Sequence, residues 1–163
     1  MAGKTKHFKG FSIVDGDIRV TLNMSRFERQ FQRAQYQLDG AVMNSMVPFM
    51  PMVTGSFINA TRAASAAAQG SGEVYAAYGP QGRFLYEGKT MVDEKTGSTW
   101  ARRGAKKVLV SEFGGKTNAK PDLTYTRQAH PKAQSHWFDA AKKADGKKWI
   151  RDVKKTAGGG QRG

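Results

Sequence analysis

Residues 74–110 read VYAAYGPQGRFLYEGKTMVDEKTGSTWARRGAKKVLV, and the rest of the chain is organised around this stretch. It opens with an aromatic run and the turn signal GPQG, after which residues 83–87 have the composition of a strand. The seventeen residues 88–104 that follow are rich in Gly, Thr, Lys and Arg and show no clean hydrophobic period. A second strand-like run covers residues 106–110. The pattern predicts two strands that flank a long irregular loop, and such loops in compact domains are mostly functional or disordered.

Upstream of this stretch, the sequence predicts a β-hairpin and two helices. Apolar runs on either side of an Asp-Gly pair predict a hairpin over residues 11–22, since both turn residues can take positive φ. A capping box and apolar residues spaced three and four apart predict an amphipathic helix over residues 25–47, which Pro48 ends. The alanine-rich residues 56–69 predict a second, shorter helix.

Downstream, residues 123–126 are a further candidate strand. His130-Pro131 fits a helix start with proline at the first position, and alanines in register with Trp137 predict that the helix runs to Gly146. The following Lys-rich segment allows one or two further turns of helix.

These elements predict an α+β fold, with a small antiparallel sheet packed against one long helix plus shorter helices, and a long irregular loop. We expect a flexible basic arm over residues 1–9, a single domain over residues 10–156 and a flexible Gly-rich tail over residues 157–163.

Charge is the strongest global signal in the sequence. The 163 residues include 27 Lys and Arg against 13 Asp and Glu, a formal net charge of +14. Such a charge favours nucleic acid or acidic partners, and it also serves solubility alone. The chain has no cysteine. It also has no apolar run of the roughly 20 residues that span a bilayer, and no N-terminal signal peptide, so we expect synthesis in the cytoplasm and no membrane partner.

No motif predicts catalysis, a cofactor or a metal. Two Gly-Lys-Thr triplets suggest a phosphate-binding loop, but the glycine required five residues before each is Arg83 in one case and Val110 in the other. His7, His130 and His136 have no acidic neighbour at metal-binding spacing, and His130 is interpreted as a helix cap. The chain is therefore predicted not to be an enzyme.

The candidate site is an interaction surface in the long loop. Its members are an aromatic residue and neighbouring cations: Lys89, Trp100, Arg102, Arg103, Lys106 and Lys107. Trp and Arg are frequent in protein interfaces, and the same mixture suits single-stranded nucleic acid. The alternative is a solvated basic loop with the Trp100 ring packed in the core.

Two further sets of residues are secondary candidates. The proline-rich loop that ends the first helix carries Phe49, Met50 and Met52, which either pack beneath the domain or contact a neighbour. A second basic face consists of Lys142, Lys143, Lys147, Lys148, Arg151, Lys154 and Lys155. Its alternative interpretation is a solvated helix surface.

Several stretches together resemble the minor capsid or tail-completion (head–tail joining, neck) proteins of long-tailed bacteriophages. The densest resemblance is GRFLYEGKTMV at residues 82–92 with GSTWARRGAKKVL at residues 97–109. A Val-Pro followed by a Thr-Gly, within residues 47–55, and a His-Pro followed by a Trp-Phe, within residues 130–138, occur in the same order as in that family.

The resemblance implies a structural virion protein, made in the bacterial cytoplasm and located in the virion neck. It implies a homo-oligomeric ring that joins the DNA-filled head connector to the tail and lets DNA pass. The implied partners are copies of the chain itself, the head connector or stopper proteins, the tail terminator protein and, without sequence specificity, the genomic DNA. The alternative is a basic DNA- or RNA-binding module with no virion role.

Overall fold

The computed structural model describes residues 11–15, 18–100 and 102–158. The predicted basic arm and residues 159–163 of the predicted tail lie outside the described residues, as does His7. The α+β class is confirmed. The helices and strands are, in chain order, β1 (Phe11–Asp15), β2 (Ile18–Leu22), α1 (Ser25–Met46), α2 (Ser56–Ala68), α3 (Gly82–Glu87), β3 (Met91–Asp93), β4 (Lys107–Leu109) and α4 (Trp137–Ala157).

The four strands form two antiparallel pairs, β1 with β2 and β3 with β4. The predicted N-terminal hairpin is confirmed, and its register pairs Asp15 with Ile18. Asp15 therefore belongs to β1, and the two connecting residues, 16 and 17, lie outside the described residues.

The two helices predicted upstream are confirmed to within a residue at each end. Helix α1 starts where the Asn23 side chain accepts a hydrogen bond from the backbone N–H of Ser25 (2.9 Å). It ends immediately before a short 3₁₀ turn over Val47–Phe49, because Pro48 cannot donate the next helical hydrogen bond.

The described chain forms two compact units, and the prediction of one domain over residues 10–156 stays a prediction. Unit 1 takes its residues from Met1–Ser45, Arg62–Tyr75 and Ala141–Gly163. Unit 2 consists of Met46–Thr61 and Ala76–Ala140.

In unit 1, two side-chain hydrogen bonds join α4 to α1. The Trp149 ring is buried and its Nε1–H donates to Ser45 Oγ (3.2 Å), and Thr156 Oγ1 donates to the Gln37 side chain (2.6 Å). The buried Asp39 carboxylate ties the end of α2 to α1, since it accepts from the backbone N–H of Gly70 (2.7 Å). The bonds of Trp149 and Thr156 tie one side of α4 to α1, and the Asp39 bond ties the end of α2 to α1.

In unit 2, the fully buried Trp137 ring is the centre of the core. Its Nε1–H donates to the Ala76 carbonyl (2.7 Å). The rings of Tyr86 and Phe57 meet it edge-on, with centroids 4.9 and 5.9 Å away. An indole with its N–H satisfied contributes large apolar burial without a polar cost.

Residues 83–87, predicted as a strand, are the helix α3, so this prediction is wrong. The helix follows a turn in which Gly82 N–H donates to the Gly79 carbonyl (3.0 Å), and it ends at Gly88 with φ 72°. Helical winding puts Tyr86 against the core Trp137, and a five-residue apolar run fits a helix or a strand equally well by period. The second predicted strand is confirmed as β4, and it pairs with β3 from within the supposedly irregular loop.

Two downstream predictions are also wrong. Residues 123–126 form no strand in the described structure; the nearest pairing is an isolated bridge between Lys89 and Asp122. Helix α4 begins at Trp137 rather than at His130-Pro131, and it continues through Gly146 to Ala157 as one helix. Tertiary bonds compete with helix formation before Trp137: Gln134 N–H donates to the Phe49 carbonyl (3.0 Å) and His136 N–H to the Tyr86 carbonyl (2.8 Å).

Candidate interaction surface on the β3–β4 hairpin

The β3–β4 hairpin converts most of the predicted irregular loop into a defined scaffold. Its register pairs Met91 with Leu109 and Asp93 with Lys107. One further backbone bond, from Glu94 N–H to the Lys106 carbonyl (3.1 Å), extends the pairing beyond the strands. Irregular structure is therefore confined to the segment between residues 94 and 106, the part that carries Trp100.

The buried Asp93 carboxylate organises this segment from within. Its Oδ1 accepts from the backbone N–H groups of Lys95 (2.8 Å) and Thr96 (3.1 Å), and its Oδ2 lies 3.7 Å from Arg102 Nε. The hydrogen bond from Lys95, followed by that from Thr96 and by the Arg102 charge, lowers the pKa of Asp93 against the opposing effect of burial. One ionised side chain thus holds both arms of the segment.

Gly97 closes the turn that Asp93 begins. Its N–H donates to the Asp93 carbonyl (2.9 Å), and its φ of 67° lies in the left-handed region that glycine adopts without strain. The Phe113 ring covers it so closely that a Cβ at this position would lie 2.5 Å from Cε1. Thr117 Oγ1 also donates to the Gly97 carbonyl (2.6 Å). The segment around Phe113 and Thr117 therefore buttresses the turn just before Trp100.

Trp100 projects into solvent from this braced segment. Its side chain is 87% exposed, the largest fraction among the large hydrophobic side chains of the described residues. The backbone is held on its N-terminal side, since Trp100 N–H donates to Ser98 Oγ (3.1 Å) and Lys107 Nζ donates to the Thr99 carbonyl (2.9 Å). The alternative in which Trp100 packs in the core is wrong. An exposed indole on a fixed backbone is the arrangement of an interface anchor.

Four cations lie close to Trp100 in sequence, at positions 102, 103, 106 and 107, and the hairpin's acids restrain two of them. Arg102 faces the buried Asp93, and Lys106 Nζ lies 3.9 Å from Glu94 Oε2. Glu94, Arg102 and Lys106 line an open cleft of about 380 Å³, together with Arg103, which forms no ion pair with a described residue. The cleft presents positive charge in the same segment between β3 and β4 that carries the indole.

The remaining predicted candidates lie elsewhere in unit 2. Lys89 precedes β3, and its Nζ forms an exposed salt bridge with Asp122 (2.6 Å), an interaction worth about 0–1 kcal/mol. Met50 is fully buried, so it belongs to the core and presents no surface to a partner. Phe49 is partly buried beneath Lys132, whose Nζ lies 5.8 Å from the ring centroid. Of the candidates, the structure brings together the five residues 100, 102, 103, 106 and 107.

His130 is not a helix cap, contrary to the prediction. It lies seven residues before α4, and its Nδ1–H donates to the Met50 carbonyl (2.8 Å). This bond ties the segment before α4 to the loop after α1. His130 is therefore a structural residue of unit 2, and the described residues contain no group of three His, Cys, Asp or Glu that could hold a metal ion.

The second predicted basic face lies on α4. All seven of its cations are exposed, and within the described residues only Arg151 forms an ion pair, with the adjacent Asp152 (3.2 Å). This face therefore differs from the hairpin, where acids take up part of the positive charge.

Sequence reasoning missed Asp93, which it assigned to the loop without a role. The available signal was the run Asp93-Glu94-Lys95-Thr96-Gly97, because Asp followed by a glycine within four residues is typical of turns that a side chain stabilises. Without the pairing of β3 with β4, nothing indicated that this carboxylate would be buried.

No family model, curated protein or solved structure matches this chain. Within the described residues, no helix is both long and apolar enough to cross a membrane.

Proposed function

We propose that this chain is a non-enzymatic assembly protein of a long-tailed phage neck, which docks on its partners through the β3–β4 hairpin. The observation that carries the proposal is Trp100, an almost fully exposed indole on a braced turn inside the stretch that resembles the neck family. A large exposed indole is costly to leave in water and gains most when a partner covers it. We therefore expect partner proteins to bind at the hairpin during assembly.

The expected partner surface follows from the chemistry around the indole. Arg103 is free of ion pairs within the described residues, and Arg102 and Lys106 are only loosely paired at 3.7 and 3.9 Å. An apolar recess rimmed by carboxylates would bury Trp100 and pair with these cations. Truncation of such an anchor costs about 2 kcal/mol or more at a protein interface.

A ring of identical subunits multiplies this interaction. Each copy would present the same hairpin to a neighbouring copy, to the head connector or stopper proteins, or to the tail terminator protein. Because the interfaces repeat with the symmetry, a modest loss at each hairpin is summed over the ring. The neck would then fail to close even though each subunit folds.

The test is electron microscopy of particles from a phage in which this gene is interrupted, complemented in trans. Without complementation we expect filled heads and complete, unattached tails. Wild-type protein should restore joined particles, and Trp100→Ala should reduce their number at least tenfold. Val53→Ala is the matched control, because Val53 is 84% exposed and lies outside the hairpin. Intact infectious virions without the gene product would overturn the neck role.

The second candidate function is a basic nucleic-acid-binding module with no virion role, and the exposed cations of α4 favour it. The two functions separate in the same experiment. A module without a virion role leaves head–tail joining intact when the gene is interrupted, whereas the neck protein does not.

A further inference from the structure

The outer face of α4 concentrates cations on one side of the helix. At about 100° per residue, six side chains fall within an arc of about 140° on the side opposite the buried Trp149. We call this set the α4 basic face: Lys143, Lys147, Lys148, Arg151, Lys154 and Lys155. The seventh predicted cation, Lys142, falls on the Trp149 side and does not belong to it.

The charges of α4 are segregated rather than interspersed. The helix has three acids, Asp139, Asp145 and Asp152, and the same geometry puts all three outside the arc of the basic face. Within the face, successive positions four residues apart carry the same sign: 143 with 147, 147 with 151, and 151 with 155. Like charges at this spacing destabilise a helix.

Helix chemistry explains only a part of this pattern. Lys154 and Lys155 lie in the last turn, where positive charge is favourable beside the helix C-terminus. The four cations nearer the middle of the helix gain nothing from that effect. A helix surface selected only for solubility would place acids among them, which suggests that this face meets a polyanion.

The α4 basic face is also rigid and nearly free of apolar anchors. Trp149 and Thr156 fix the opposite side of the helix to α1 through hydrogen bonds of 3.2 and 2.6 Å. Between residues 143 and 155 no aromatic residue lies within the arc, and the exposed Ile150 lies at its edge. Trp137, at the start of the helix, falls within the arc but is fully buried. The hairpin combination of indole and arginine is absent here, so a partner must be held by charge alone.

We propose that the α4 basic face binds the phosphate backbone of duplex DNA without reading its sequence. From residue 143 to 155 the helix advances about 18 Å, and duplex DNA offers one phosphate charge about every 1.7 Å along its axis. Five of the six cations are lysines, compact charges suited to phosphate binding that needs no fixed geometry. The absence of an aromatic platform argues against single strands, and the absence of an apolar anchor argues against a protein interface.

The inference is drawn from α4 alone and is independent of the neck role. If the chain does act in the neck, the duplex is the passing genome, and binding by charge would hold it weakly enough to let it move.

Fluorescence anisotropy of the full chain with a labelled 30-base-pair duplex of arbitrary sequence tests the proposal between 50 and 200 mM salt. The test variant replaces Lys143, Lys147, Lys148 and Lys154 with Gln, which suits a helix and removes only charge. We expect affinity at 50 mM salt to fall at least tenfold. The slope of log affinity against log salt should decrease in magnitude by about 0.9 for each phosphate that the variant no longer neutralises. The same four positions changed to Arg should restore both quantities.

The matched control removes equal charge from unit 2 at four exposed lysines outside the candidate interaction surface: Lys95, Lys116, Lys120 and Lys132, each changed to Gln. This variant should keep the wild-type slope to within about one phosphate. Equal losses in both variants would assign binding to net charge, and an unchanged α4 variant would assign it to another surface. Either result would overturn the proposal. Displacement of the DNA by poly-glutamate at equal charge concentration would also overturn it, because it would indicate an acidic protein as the partner of the α4 basic face. Circular dichroism should show that each variant keeps the wild-type helix content. Because particle joining is not measured in this experiment, the DNA-binding proposal and the neck role can fail separately.

Discussion

The β3–β4 hairpin and the α4 basic face are both rich in cations, yet the charges have different structural roles. In the hairpin, acids lie among the cations: Asp93 is buried beneath Arg102, and Glu94 lies within 3.9 Å of Lys106. On α4 the three acids lie outside the arc of the basic face, and within the described residues only Asp152 forms an ion pair with one of its cations, Arg151 (3.2 Å). Basic composition alone therefore does not identify a function. The positions of the acids distinguish a turn that is stabilised by internal ion pairs from a cationic surface that is available to an external anion.

This difference decides what mutations on each surface would do. Changing residues around Asp93 or Gly97 alters the shape of the turn that presents Trp100, because backbone groups depend on them. Changing a cation of α4 leaves the fold intact, because the opposite side of the helix makes its bonds to the core. Partner binding by the hairpin should therefore depend on substitutions that change the shape of its turn. Anion binding by α4 should depend on substitutions that change its charge.

The largest expected effect is on the hairpin turn. Gly97→Ala forces a left-handed residue to carry a Cβ 2.5 Å from the Phe113 ring, so we expect the free energy of unfolding to fall by about 2–4 kcal/mol. Gly104→Ala is the matched control, since its φ is 77° and a Cβ there would meet no atom within 4 Å. It should cost only the backbone strain, about 1 kcal/mol. Urea denaturation measures both values, and equal losses would show that Phe113 does not buttress the turn.

Local signals in the sequence were sufficient for α1, α2 and the N-terminal hairpin. Residues 25–47 combine a start signal, a sustained helical period and a terminating proline, and their agreement leaves one solution. Residues 83–87 offered only a short apolar run, and the decision between helix and strand was made by packing of Tyr86 on Trp137. His130-Pro131 imitated a helix start, but bonds to residues more than forty positions away hold that segment out of the helix.

The exposed residues of the candidate site could be predicted from the sequence, but the buried residues that hold them in place could not. Trp100 and its neighbouring cations could be identified because aromatic and Arg residues in a long polar loop are typical of interfaces. The burial of Asp93 and of Met50 could not be predicted from the sequence, since it depends on which distant segments cover these side chains in the fold. The sequence predicted the basic face as a set of seven cations, but it did not predict one continuous helix through Gly146, and only that helix places Lys142 and the three acids outside the arc of the other six cations.

An intermediate effect is expected on α4, with stability and binding moving in opposite directions. Lys147→Glu replaces like-charge pairs with Lys143 and Arg151 by opposite-charge pairs four residues apart, so the free energy of unfolding should rise by about 0.5–1 kcal/mol at low salt. Thermal denaturation should show this as an increase of about 1–4 °C in Tm, while duplex affinity decreases. Lys120→Glu, an exposed change outside α4, controls for net charge. An equal stabilisation in the control would show that repulsion among the cations of the α4 basic face does not destabilise the helix.

The smallest effect is a pH dependence confined to the hairpin. Because hydrogen bonds from Lys95 and Thr96 and the charge of Arg102 lower the pKa of folded Asp93 below its ordinary value of 3.8, its carboxylate stabilises the fold at pH above 3.8. That contribution is lost as pH falls through the lower folded pKa. NMR should show the Lys95 and Thr96 amide resonances shifting with a midpoint below 3.8, and Asp93→Asn should abolish this step. A midpoint at or above 3.8 would mean that the carboxylate is not held by those backbone groups, and the hairpin would then present Trp100 no more firmly than a solvated loop.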